Sequence, residues 1–73
     1  MKKNNFFGMG KTTFEIQHPE WANITVFRVN FLRYGNPDYD PETKIVTLVV
    51  DSKDVAAVRK RAKEACGTII RER

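Results

Sequence analysis

Gly8-Met9-Gly10-Lys11-Thr12-Thr13 ends the way a phosphate-binding loop ends. That loop needs G-x-x-x-x-G-K-[ST] between a strand and a helix, so that backbone N–H groups and a helix N-terminus meet the phosphates. Here Asn5 stands at the first glycine position, nothing before it reads as a strand, and the residues after Lys11 alternate as a strand does. Asn36, Asp38, Asp40 and Glu42 place side-chain oxygens at alternate positions, as calcium loops do. An EF-hand loop would then want glycine at its sixth position and glutamate at its twelfth, where this chain has Pro41 and Thr47. A solvated turn is the expectation, forming an acidic pole. His18 and Cys66 are the single histidine and the single cysteine. Cys66 is expected on an apolar helix stripe near a helix C-terminus, where the dipole disfavours a thiolate. These residues do not assemble a nucleophile, base and orienting group, so the chain is expected to be no enzyme, with no cofactor and no metal site.

The elements that must position any site fit one small domain. A chain of 73 residues buries only about 60–65% of its unfolded surface, and one cysteine builds no disulfide within it. A lone cysteine fits a reducing compartment. Lys2 and Lys3 are followed only by Phe6, Phe7 and Met9, not by a continuous apolar run, so no signal peptide is expected. No stretch approaches the ~20 apolar residues of a membrane span. A cytoplasmic protein with no membrane partner is the expectation. Asn23-Ile24-Thr25 matches the glycosylation sequon, which such a location leaves idle.

Residues 1–10 read as a flexible N-terminal tail with Phe6 and Phe7 as anchors, and 11–73 as a single α+β domain. Period-two alternation predicts a strand over Thr12–His18, with Phe14, Ile16 and His18 inward, ended by Pro19. Trp21 is expected to cap the core edge. The β-branched and aromatic run Ile24–Tyr34 predicts the second strand, with Phe27, Val29 and Phe31 on the core face and Arg28, Asn30, Leu32 and Tyr34 on the other. Gly35–Thr43 is turn chemistry, and Lys44–Val50 is a third strand forming an antiparallel hairpin with the second. Asp51 and Ser52 are N-cap candidates for a helix over Lys53–Cys66, whose stripe is Val55, Val58, Ala62, Ala65 and Cys66. Gly67 is the expected left-handed C′ residue, and Thr68–Arg71 is a short last strand. The order is β-β-β-α-β: a small, mostly antiparallel sheet with one amphipathic helix, in which the third strand, helix and fourth strand suit a crossover unit.

Charge and exposed faces are what remain to carry function. Residues 53–73 hold seven basic and three acidic side chains, and the first 52 hold six of each, so the whole net charge of +4 lies at the C-terminal end. Lys53 and Lys60 lie opposite the apolar stripe, flanked by Arg61 and Lys63, with Lys60–Glu64 as an i,i+4 pair. The plain alternative is an ordinary solvated helix face. With one helix, the strand face carrying Arg28, Asn30, Leu32 and Tyr34 is expected to be open, and an open apolar face in so small a protein marks association. The expectation is a small non-catalytic binding protein, a stoichiometric regulator, adaptor or inhibitor, with Arg28, Asn30, Leu32 and Tyr34 meeting a protein partner. Size and plainness of this kind are common among phage and mobile-element accessory proteins, an analogy only. The alternative is direct nucleic-acid binding through Lys53, Lys60, Arg61 and Lys63 together with the open strand face. Unpaired sheet edges also suit a homodimer.

Overall fold

The computed structural model describes residues 10–73; the expected tail and its anchors Phe6 and Phe7 lie, Gly10 apart, outside them. The sequence alternation builds β1 (Lys11–Gln17) and β3 (Ile45–Asp51). Phe14 and Ile16 of β1 and Val46, Leu48 and Val50 of β3 point to one face and are fully buried. The register sets Phe14 opposite Leu48 and Ile16 opposite Val46, so the two strands bury one continuous apolar face. The short β2 (Asp38–Asp40) flanks β3, and β4 (Thr68–Glu72) flanks β1. The sheet order is β2-β3-β1-β4 with every neighbouring pair antiparallel. Strands β3 and β4 therefore run parallel to each other with β1 between them, and the expected crossover spans one inserted strand. β2 lies inside the segment read as a loop, since its three residues are too few to alternate.

The fold is α+β, with the amphipathic helix α2 (Val55–Glu64) on the apolar face of the sheet. A turn of 3-10 helix, Ser52–Asp54, leads into it. Val58 and Ala62 are buried, and Val55 and Ala65 pack against the core. The helix ends in a Schellman arrangement: the Cys66 N–H donates to Lys63 O at 3.1 Å and the Gly67 N–H to Ala62 O at 2.8 Å. The left-handed residue is Cys66, at φ 63°, and not Gly67. Cys66 is consequently exposed and not a packed core thiol. Gly67 has a different reason to be glycine. A Cβ there would stand 2.8 Å from both Ile16 Cγ2 and Phe27 Cζ.

The main departure from the sequence reading is residues 24–34. They form helix α1 (Ile24–Val29) followed by turns to Gly35, not the second strand. The Asn23 side chain caps α1, accepting from the N–H groups of Thr25 at 2.8 Å and Val26 at 3.2 Å. Phe27 and Phe31, one helical turn apart, drop into the core in edge-to-face contact at 5.3 Å. Burying each ring is worth about 1.5–3 kcal/mol, which outweighs the weak strand preference of Ile24, Thr25, Val26 and Val29. Val29, assigned to the core by the strand reading, is exposed. Both helices lie on the same sheet face. The opposite face carries Thr13, Glu15, Thr47 and Val49, with ion pairs Lys11–Asp51 at 2.6 Å and Arg73–Glu15 at 3.0 Å.

Candidate docking surface

With 24–29 helical and 30–34 in turns, the open strand face expected to hold Arg28, Asn30, Leu32 and Tyr34 does not exist, and the four residues part company. The Arg28 Nε–H donates to Pro37 O at 2.8 Å, tying α1 to the connection before β2. The Asn30 Nδ2 donates to the carbonyls of Val26 and Phe27 at 3.1 and 3.2 Å, satisfying acceptors that the end of α1 leaves open. Both side chains are thus engaged by their own chain. Leu32 stays exposed. Tyr34 is half-buried against the core, with the Arg33 guanidinium 5.8 Å from its ring centroid.

The basic set divides as well. Lys53 sits in the 3-10 turn and Lys63 in the last turn of α2, both exposed. Lys60 and Arg61 line a cleft of about 480 Å³ together with Tyr34, Ala57 and Glu64. One member of the first candidate set therefore meets two of the second. Arg61, not Lys60, forms the ion pair with Glu64, at 3.7 Å. Arg59 is held by Glu72 of β4 through Nε contacts of 3.0 and 3.1 Å and an Nη2 contact of 2.7 Å. That pairing lowers the Glu72 pKa and raises that of Arg59 through the shared hydrogen bonds. Lys11 likewise lowers the Asp51 pKa, first by its hydrogen bond and then by its charge. Asp51 forms no side-chain cap, its carboxylate being directed to Lys11.

The residues singled out for chemistry have local structural roles. Lys11, Thr12 and Thr13 lie in β1, where a phosphate loop would begin its helix. Asp38 and Asp40 flank Tyr39 in β2, and Asp40 accepts from the Glu42 N–H at 2.9 Å. His18 is buried between the rings of Phe27 and Tyr39. Its Nε2 donates to Ala22 O at 2.7 Å, and its Nδ1 is buried without a hydrogen-bond partner among the described residues.

What the sequence reading missed is an apolar surface on the helical layer. Trp21, Val26, Val29 and Leu32 are 77, 65, 59 and 56% exposed. Trp21, expected to cap the core edge, instead projects outward. Val26, Val29 and Leu32 recur every third residue, the spacing that puts side chains on one helix face. That signal was present in the sequence but overshadowed by the period-two reading. Beside Trp21 and Val26, a second cleft of about 190 Å³ opens between α1 and the end of α2, lined by Ala22, Phe27, Ala65 and Cys66 among others.

Among the described residues no helix is long and apolar enough to cross a membrane. Comparison with known proteins finds no matching family model, no similar curated protein and no similar solved structure.

Proposed function

We propose that this protein is a small non-catalytic binding protein, a stoichiometric regulator, adaptor or inhibitor that docks on a protein partner through the outer face of its helical layer. The observation that carries the reading is the run of large apolar side chains, Trp21, Val26, Val29 and Leu32, turned to solvent from one twelve-residue stretch in a chain whose core needs every apolar residue it can bury. Contiguous exposed apolar surface in a small protein marks association, and tryptophan is the residue most enriched among interface anchors. On the same helical layer Lys60 and Arg61 line the cleft beside Tyr34, where they would steer encounter with an acidic surface.

The test is affinity capture from a nuclease-treated lysate of the native host, comparing the wild type with Val29→Asp and Leu32→Asp. A protein retained by the wild type and lost by both variants supports the reading. Retention that nuclease removes, or that survives both substitutions, overturns it. Sedimentation at micromolar concentration tests the homodimer alternative: a dimer dispersed by Val29→Asp would assign the face to a second copy.

A further inference from the structure

The two clefts meet at Glu64, which lines both. Following α2 from Cys66 back to Ala57, the opposite wall passes from Trp21 and Val26 to Asn30 and then to Tyr34. The α1 segment and α2 thus run in opposite directions along a single furrow. Its two ends differ in chemistry. The end at Trp21, Val26 and Ala65 is apolar. The end at Tyr34 carries Lys60 and Arg61, with Arg33 over the tyrosine ring. At 1.5 Å of rise per residue, Lys60 and Arg61 stand about 6–8 Å along α2 from Ala65.

We propose that the furrow takes an extended segment of a partner protein bearing an apolar anchor side chain and, about two residues away at ~3.3 Å per residue, one or more carboxylates. This rests on the reading of the helical layer as a protein-docking surface and adds the chemistry of what docks. The anchor seats in the small cleft beside Trp21. The carboxylate meets Lys60 and Arg61, where charge-assisted hydrogen bonds are stronger than neutral ones. The furrow suits a peptide better than a nucleic-acid strand because its cations are confined to one end. A phosphate backbone carries charge along its whole length, and it would pass the Glu64 carboxylate at mid-furrow and then an end without cations.

Selection from a phage-displayed library of random peptides, each about twelve residues and so long enough to span the furrow, tests the inference. The wild-type protein is expected to enrich peptides pairing a bulky apolar residue with Asp or Glu two to three positions away. Lys60→Glu with Arg61→Glu should abolish the acidic position and weaken the best peptide by about tenfold or more, the scale of one lost charge-assisted contact. Val26→Glu should abolish the apolar position and keep the acidic one. If Val26→Glu does not fold, Trp21→Ala provides the same readout. Enrichment of apolar anchors with no acidic position overturns this inference while leaving the docking surface itself in place, as does absence of enrichment when Val29→Asp still abolishes partner capture. Binding of a labelled oligo-dT probe that displaces the peptide and is lost in the Lys60→Glu, Arg61→Glu protein would overturn it in favour of nucleic acid.

Discussion

Replacing Phe31 and Val29 separately by alanine decides between a helix and a strand over residues 24–34. On a strand, Phe27, Val29 and Phe31 share one face, and both substitutions open a cavity. On the observed helix only Phe31 does so. Phe31 is fully buried, whereas more than half of Val29 is in solvent. Phe31→Ala should then destabilise by about 3–5 kcal/mol, the range for phenylalanine truncation in a core. At roughly 0.05–0.15 kcal/mol per residue, a chain of 73 residues has on the order of 4–11 kcal/mol in total, so this one change removes about a quarter of the stability or more. Val29→Ala should stay within about 0.5 kcal/mol, as exposed positions do; on a buried strand face the same change would cost about 2 kcal/mol, from two lost methyl groups and the cavity they leave. Urea titration followed by circular dichroism, with the single Trp21 as a second probe, measures both. In thermal melts each kcal/mol corresponds to about 4–8 °C at this size. Equal losses in the two variants, or a Phe31→Ala protein that melts with the wild type, would refute the helical packing.

The two glycines with close neighbours should resist substitution. A Cβ at Gly35 would lie 2.4 Å from the backbone oxygen of Val49, and one at Gly67 would strike Ile16 and Phe27, so Gly35→Ala and Gly67→Ala should each lower stability by about 1–3 kcal/mol in urea titration. Cys66 holds a left-handed conformation without being glycine, and Cys66→Gly should raise stability by about 1 kcal/mol, read as a higher urea midpoint. The paired carboxylates predict the acid response. Glu72 and Asp51 have folded-state pKa values lowered by Arg59 and Lys11, so each contributes stability that is complete above its unfolded value, near 4.5 for Glu72, and is lost as pH falls toward the folded one. Glu72→Gln should therefore flatten the decline of the urea midpoint below about pH 4.5, and an unchanged decline would remove Glu72 from the account.

Legibility in the sequence followed the length of each periodic run. Phe14 and Ile16, and Leu48 with its neighbours, alternate over whole strands, and α2 carries its stripe for ten residues. Those elements, and the α+β class they imply, could be read directly. Residues 24–34 defeated the reading because Phe27 and Phe31 satisfy both periods: they are two alternations apart on a strand and one turn apart on a helix. The deciding signals were Asn23, which caps the helix through its side chain, and the outward spacing of Val26, Val29 and Leu32. β2 gives no pattern because it has only three residues. Cys66 and Gly67 exchange roles because a glycine after a helix usually marks the left-handed position, and nothing local reveals that Phe27 presses on Gly67 from forty positions earlier in the chain.

The same misreading explains why the candidate site shifted and did not vanish. A strand would have put Arg28, Asn30, Leu32 and Tyr34 on one face. A helix separates them by function: Arg28 and Asn30 satisfy carbonyls of their own chain, and Tyr34 leans into the core beside α2. Only Leu32 keeps its outward position, and Val26 and Val29 of α1 are exposed with it. Apolar residues left mostly in solvent add little to the domain's stability, since burial is their main source of stabilisation. Two of the three are β-branched residues that lower the helix propensity of a six-residue helix. Their presence there runs against local stability, and in the proposed docking role it is contact with a partner that accounts for it. Replacing Val26 and Val29 together by alanine should then hold or raise the melting temperature while weakening partner capture. A double variant that captures its partner as well as the wild type would show that these valines answer to neither the fold nor the partner, and the helical face would lose its claim as the docking surface.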